Sequence, residues 1–147
     1  MHLLIDATEW IALAAKVRTF SLHAAHPTTL IRAIGSEGAV QTRRRIFEEK
    51  TDPNGNGWLP WSPRYAATRR PGNSLLIDTH DLVDSIDSYA DGNTAVVFSD
   101  VVYAGTHQDG HGNVPARPFL GVSDANAEDF GRLVADGALD LFWRDCA

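Results

Sequence analysis

The chain has 147 residues, 44% hydrophobic and 22% charged, with a net charge of -6 and one cysteine, Cys146. That length and balance predict one globular domain with a core large enough to need no covalent staples. A lone thiol excludes an internal disulfide framework and a cysteine-rich zinc site, the acidic balance argues against sequence-specific nucleic-acid binding, and no apolar run approaches the length of a membrane span.

The opening "MHLLIDATEW" has no basic leader and only a short apolar run, so no signal peptide is expected and folding in a cytoplasm is. Asp6 and Glu9 stand three apart as in a capping box, and Trp10, Leu13, Ala14 and Val17 follow at helical spacing, which predicts a helix starting at Asp6. A second helix opens at Pro27. Ala33, Val40 and Phe47 recur every seven residues and mark its expected apolar face, with Arg44 close to that face and Gly35 and Gly38 permitting a bend. The run "TRRRIF" reads as a solvated helix face or as a docking patch for an acidic partner.

Prolines and glycines between Asp52 and Pro63 exclude regular structure there. "DPNGNG" copies the opening of a calcium loop, but the twelfth position, where such a loop needs glutamate, is Pro63. Trp58 and Trp61 are costly to leave in water, so they either fold back onto the domain or await a partner. Ser62 followed by Pro63 predicts a capped short helix through Tyr65 and Ala67. Farther on, Asp78 or Thr79 is expected to cap a short helix through Leu82, Val83 and Ile86. Ser85–Ala90 and Thr94–Ser99 read as strands joined at the turn signal "DGN". The glycines and prolines of "GTHQDGHGNVPARPF" predict a long projecting loop. Ser123 caps a final helix with Asp124, Glu128 and Asp129 in its first turns and Phe130, Leu133, Val134, Gly137 and Leu141 on one stripe. The expected fold class is α+β: a single domain over residues 1–147, with a small antiparallel β-sheet packed against N- and C-terminal helices. Its expected parts are a helical segment at 1–49, a Pro/Gly/Trp loop and short helix at 50–74, a sheet and long loop at 75–122, and a C-terminal helix at 123–147.

No convergent catalytic set is visible. Asp78, His80, Asp81 and Asp84 are dense but share one short stretch, as a solvated rim does. His107 and His111 are four apart, yet Gly110 and Gly112 are poor helix material, and the residue after His107 is Gln108 where a zinc protease needs glutamate. Neither a G-x-S-x-G element nor a phosphate-gripping G-x-x-x-x-G-K-[ST] loop occurs. Arg117 and Phe119 combine a forked donor with an apolar anchor, as protein interfaces favour, and Tyr103 and His107 can hydrogen-bond from half-buried positions. The opposing reading makes Phe119 and Tyr103 core and pairs Arg117 with a nearby acid.

Four segments carry a resemblance. "RRRIFEEKTDPNGNGWLPWSP" (43–63) has an arginine-phenylalanine helix end, a D-P-x-G loop and W-x-x-x-S-P. "LLIDTHDLVDSI" (75–86) is similar to L-x-D-T-G-x-L-x-x-S-I. "YAGTHQDG" (103–110) matches Y-A-x-x-H-Q-x-G, and "VPARPFLGVSD" (114–124) matches I-P-A-R-P-F-L-G-x-S. Over Arg43–Asp124 the chain resembles the Mu-like phage virion morphogenesis proteins, related to phage tail completion proteins. It departs at His80, where glycine is usual, and at Asp109, where an apolar residue is common.

The resemblance implies a structural, non-enzymatic protein without cofactor or metal, acting in tail completion or at the head–tail junction. It would work as a homo-oligomer, a ring, contacting other phage tail or neck proteins and no membrane. It would assemble in the host bacterial cytoplasm and afterwards belong to the virion tail or neck. The expected assembly interface is Trp58, Trp61, Tyr103, His107, Arg117 and Phe119. The competing readings are a small metal-dependent hydrolase built on Asp78, His80, Asp81 and His107, and a component of a phage-tail-derived injection system.

Overall fold

A computed structural model describes residues 1–6, 8 and 27–145. Three antiparallel strands lie in the order β1-β3-β2: β1 (His2–Asp6), β2 (Ile86–Asp91) and β3 (Thr94–Ser99). β2 and β3 form a hairpin with Asp91 opposite Thr94, closed by Gly92 at φ 56°, the positive value a two-residue turn requires. β1 pairs with β3 along its whole length, Leu3 opposite Val97 and Ile5 opposite Ala95. The architecture is the expected α+β one, but the segment expected to be helical over 1–49 opens on a strand. Asp6 ends a strand, because a short run such as Leu3-Leu4-Ile5 has no period by which to tell strand from helix. The helix expected through Trp10, Leu13, Ala14 and Val17 lies outside the described residues.

The long helix α1 (Pro27–Arg44) crosses β2 and β3, and α5 (Asp124–Asp145) packs on α1. The buried face of α1 holds Ile31, Ile34, Ala39 and Thr42, whereas Val40 and Phe47 are about half exposed (52% and 55%). The expected stripe is therefore the outer face. The reason is chemical: the inward face also holds Gly35, Gly38 and Thr42, which carry little hydrophobic signal. Gly35 is there for closeness, since a Cβ on it would stand 3.2 Å from Ser88 Cβ on β2. Arg44 does not pack its stem; it is exposed and pairs with Glu48 and Glu49. Past α1 a π-helical turn (Arg45–Glu49) ends in an i→i−5 bond from Lys50 N to Arg45 O of 2.9 Å, and Lys50 sits in the left-handed region at φ 56°.

Three short helices follow: α2 (Pro63–Ala66), α3 (Asp81–Asp84) and α4 (Ala104–Asp109). α2 starts as expected, Ser62 Oγ accepting from Tyr65 N at 3.4 Å with Pro63 at the first position. α3 is not capped by Asp78 or Thr79. His80 stands before it at φ 72° with no side-chain cap, and the Thr79 hydroxyl donates instead to Asp81 Oδ2 at 2.6 Å. α5 opens on a reciprocal cap in which Ser123 Oγ and Asn126 Oδ1 each accept the other residue's backbone N–H at 3.1 Å. Phe130 and Val134 bury the stripe expected there, and Leu141's side chain lies outside the described set. No described helix is long and apolar enough to cross a membrane.

Candidate docking cleft

Residues 50–62 and 110–122 contain no helix or strand, so their backbone groups need other partners. Long polar side chains supply them. Lys50 Nζ donates to Ile46 O, to Ser74 Oγ and to Leu75 O, the last two at 2.9 Å. Arg45 Nη1 donates to Phe119 O at 2.7 Å and to Gly121 O at 3.2 Å, while its Nη2 reaches Asn126 Oδ1 at 2.8 Å. Trp58 Nε1 donates to Pro118 O at 3.0 Å. Arg117 grips Leu59 O with Nε and Nη2 at 3.1 and 2.9 Å. Gln108 Oε1 accepts from Phe119 N and Leu120 N, both 3.0 Å, and its Nε2 returns 2.9 Å to Leu120 O. Burial lowers the pKa of Arg45, Lys50 and Arg117; for Arg45, Glu49 and Asp52 work against that shift.

"DPNGNG" is closed on itself. Asp52 Oδ1 accepts from Asn54 N (2.8 Å) and Asn56 N (2.9 Å), and Oδ2 from Asn56 Nδ2 (2.9 Å). These bonds, the Asn56 side chain's first, hold the Asp52 carboxyl below its ordinary pKa. The loop tip packs against the second segment: a Cβ on Gly121 would lie 3.0 Å from Pro53 Cβ and closer still to Cγ.

The tethered segments, α2, α4 and the approach to α3 surround an open cleft of about 1070 Å³. Its walls include Leu59, Trp61, Tyr65, Leu76, Tyr103 and Val114. Leu59 is 63% exposed, and Tyr65, Tyr103 and Val114 also face solvent. Arg69 lies over the Trp61 and Tyr65 rings at 5.6 and 5.2 Å, ion-pairs with Asp78 at 2.7 Å and donates to Tyr65 OH at 3.0 Å. That ion pair, first of all, lowers the Asp78 pKa. Burial raises the Tyr103 phenol, helped by Asp81 and Asp78. His107 meets the Tyr103 ring edge-on at 5.7 Å, and its Nδ1 is buried without a partner. Burial, then Arg117, lowers its pKa.

The six residues expected at an interface thus divide. Trp61, Tyr103 and His107 line the cleft. Trp58 and Phe119 are core, 8% and 0% exposed, and Arg117, though only 5% exposed, is among the residues that line the cleft. Those three hold the walls from inside and do not themselves present an outer surface, because each finds its apolar contacts or its carbonyl partner within the chain. Nor does Arg117 pair with an acid among the described residues; its partner is the backbone carbonyl of Leu59. The expected projecting loop is also corrected: Ala104–Asp109 forms α4, ended by Gly110 at φ 76°, with its two glycines at the helix margins. Gln108, Arg45 and Lys50 escaped notice as tethers because only the folded chain brings distant carbonyls to them. Leu59 was visible between two tryptophans, but its exposure was not.

Asp78, His80, Asp81 and His107 all border this cleft. Asp78 is held by Arg69 and Asn73, and Asp81 by Thr79. Among the described residues no group of three or more His, Cys, Asp or Glu is placed to hold a metal ion. His111 lies past the end of α4 in a tight turn bridged to Val114, off the helix that carries His107.

A model of the phage virion morphogenesis family matches residues 8–136. The chain belongs to that family. The match begins well before Arg43, where the sequence resemblance started, and takes in both tethered segments. No curated protein and no solved structure matches the chain. As a virion morphogenesis protein it has a structural part in building a phage particle.

Proposed function

We propose that this virion morphogenesis protein completes the tail or joins head to tail by docking through the cleft, as one subunit of a ring that also contacts tail or neck proteins. Assembly takes place in the host cytoplasm, and the protein then stays with the particle. One observation supports this reading above the others: a large, partly apolar cleft whose irregular wall segments are fixed by side-chain donors from Arg45, Lys50, Trp58, Gln108 and Arg117. An exposed apolar surface of this kind marks an interaction site, and walls ordered beforehand reduce the entropy lost on docking. The aromatic residues at its rim match the composition of interface cores.

Leu59→Asp places a charge on an exposed wall residue and leaves the tethers intact. Expressed in place of the natural chain during phage production, it should accumulate as folded protein yet yield few infectious particles, with unjoined heads or tails under the electron microscope. A normal particle yield would refute a docking role for the cleft.

A further inference from the structure

We propose that the cleft receives the acidic, tyrosine-bearing face of β2 from a second copy of this chain, so that copies join head to tail. The inference rests on the docking role proposed above and names the occupant.

The cleft asks for a carboxylate. Arg117 is 5% exposed and lines the cleft, yet its only side-chain partner among the described residues is Leu59 O, held through Nε and Nη2. Among the described residues Nη1 has no partner, and no carboxylate pairs with the guanidinium. A nearly buried cation without a counter-ion gains from an arriving anion, because little water is left to compete. The segment Trp58–Ile77, which gives Leu59, Trp61, Tyr65 and Arg69 to the lining, also carries Arg64 and Arg70 beside the cleft and contains no Asp or Glu. Of these arginines only Arg69 forms an ion pair among the described residues, with Asp78. Asp78 and Asp81 on the facing wall are already engaged, by Arg69 and by the Thr79 hydroxyl.

The chain itself carries the complement. From Asp78 to Asp109 every Lys, Arg, Asp or Glu position is an aspartate. On β2, Asp87, Tyr89 and Asp91 occupy alternate positions and so share one face. All three are exposed, Tyr89 by 47%, and Tyr89 stands edge-on to Phe98 at 5.7 Å. This carboxylate–phenol–carboxylate row offers charge to the arginines and an aromatic ring to the Leu59, Trp61 and Tyr65 walls. The β2 backbone is less available: Arg43 donates to Ile86 O, and Ser88 N donates to Asp87 Oδ1 at 2.7 Å. Recognition therefore runs through side chains and not through an added strand. Because the two complementary surfaces are different parts of one molecule, the contact is heterologous, and repeated contacts of that kind close into a ring or extend as a filament.

The test uses full-length proteins altered only at exposed positions. Leu59→Asp blocks the cleft; Asp87→Lys with Asp91→Lys reverses the strand face. In light scattering the natural chain should form species larger than a dimer. Each variant alone should remain at the 16.0 kDa protomer mass, and an equimolar mixture should give a dimer and nothing larger, since one good cleft and one good strand face remain. Should either variant lose its folded circular-dichroism signature, Arg64→Glu with Arg70→Glu substitutes for Leu59→Asp, and joining those changes to the two lysines in one chain should restore assembly by charge exchange. A natural chain that stays monomeric at its highest soluble concentration, variants that assemble as it does, or a mixture with no dimer would each overturn the proposal. The two readings fail separately. Lost particles with a monomeric natural chain leave the docking function standing with another occupant. Self-assembly as described, with a normal particle yield from Leu59→Asp, removes the function and keeps the contact.

Discussion

Gln108→Ala tests whether side-chain tethers hold the cleft. The wild-type amide makes three bonds: Oε1 accepts from Phe119 N and Leu120 N at 3.0 Å each, and Nε2 donates to Leu120 O at 2.9 Å. Phe119 and Leu120 are 0% and 5% exposed, so the backbone groups released by truncation have little water to turn to. Each orphaned buried group costs about 1–3 kcal/mol. Gln108 is itself half-buried, which lets some water in, so the lower bound for three groups applies, about 3 kcal/mol. For a chain of this size that lowers the midpoint of thermal unfolding by roughly 6–12 °C. Urea unfolding followed by tryptophan fluorescence measures it, with Asp109→Ala as an exposed neighbour that should move stability by less than about 0.5 kcal/mol. Gln108→Glu is the sharper comparison. It keeps an acceptor for both N–H groups but turns an oxygen toward Leu120 O, and should fall between wild type and alanine. A Gln108→Ala loss no larger than that of Asp109→Ala would show that packing of Phe119 alone holds the segment, and would refute the tether argument.

Trp58→Phe keeps most of the buried ring but removes the donor to Pro118 O, and should cost about 1 kcal/mol by the same urea assay. Gly121→Ala drives a methyl group into the stiff Pro53 ring and should cost about 1–3 kcal/mol, whereas Gly105→Ala, in α4 with Met1 Cε the nearest atom at 3.9 Å, should gain up to about 1 kcal/mol. The two melting points should therefore move in opposite directions. His107 titrates in the folded chain below its ordinary value of 6.5, first because of burial and then because of Arg117. The unfolded chain thus binds a proton more readily, so the stability associated with neutral His107 is complete above pH 6.5 and is lost as pH falls through the lower folded value. Between pH 7 and pH 5 wild type should lose more stability in urea than His107→Gln; equal slopes would contradict the buried, unpartnered Nδ1.

How much could be read from the sequence followed the range of the forces involved. The caps at Ser62 and Ser123 and the turn at Gly92 are decided by residues within four positions, and all three stand where their chemistry put them. The inward face of α1 failed to show because closeness to β2 requires Gly35, and because Thr42 and Arg45 are buried there among apolar neighbours. β1 failed because its partner, β3, lies 88 to 96 residues away along the chain, and a five-residue run needs that partner to be a strand at all. In the cleft, the residue types were recognised but their roles were assigned from composition. Arg beside Phe is common at interfaces, yet Arg117 and Phe119 reach carbonyls and core first. The glycine usual at position 80 in the resembled family has a physical counterpart here: His80 adopts φ 72°, the left-handed region that suits glycine.

The tethers explain why cations are buried in a chain with so few of them. Two long segments without helix or strand meet at Pro53, Trp58, Pro118 and Gly121, and their inward carbonyls cannot all reach backbone donors. One guanidinium brings five N–H groups in a fixed plane and can satisfy several such acceptors from one position. Arg45 joins the end of α1 to Phe119, Gly121 and Asn126; Lys50 joins the same turn to Ser74 and Leu75; Arg117 joins the second segment to Leu59. Each cation binds carbonyl oxygens and forms no ion pair among the described residues, so each carries a desolvation cost still outstanding. For Arg45 and Lys50 that cost has no outlet at the cleft. For Arg117 it does, because this residue lines the cavity. On the proposed docking role such a tether couples two tasks: the bond to Leu59 O fixes the wall, and the charge left over favours an acidic partner.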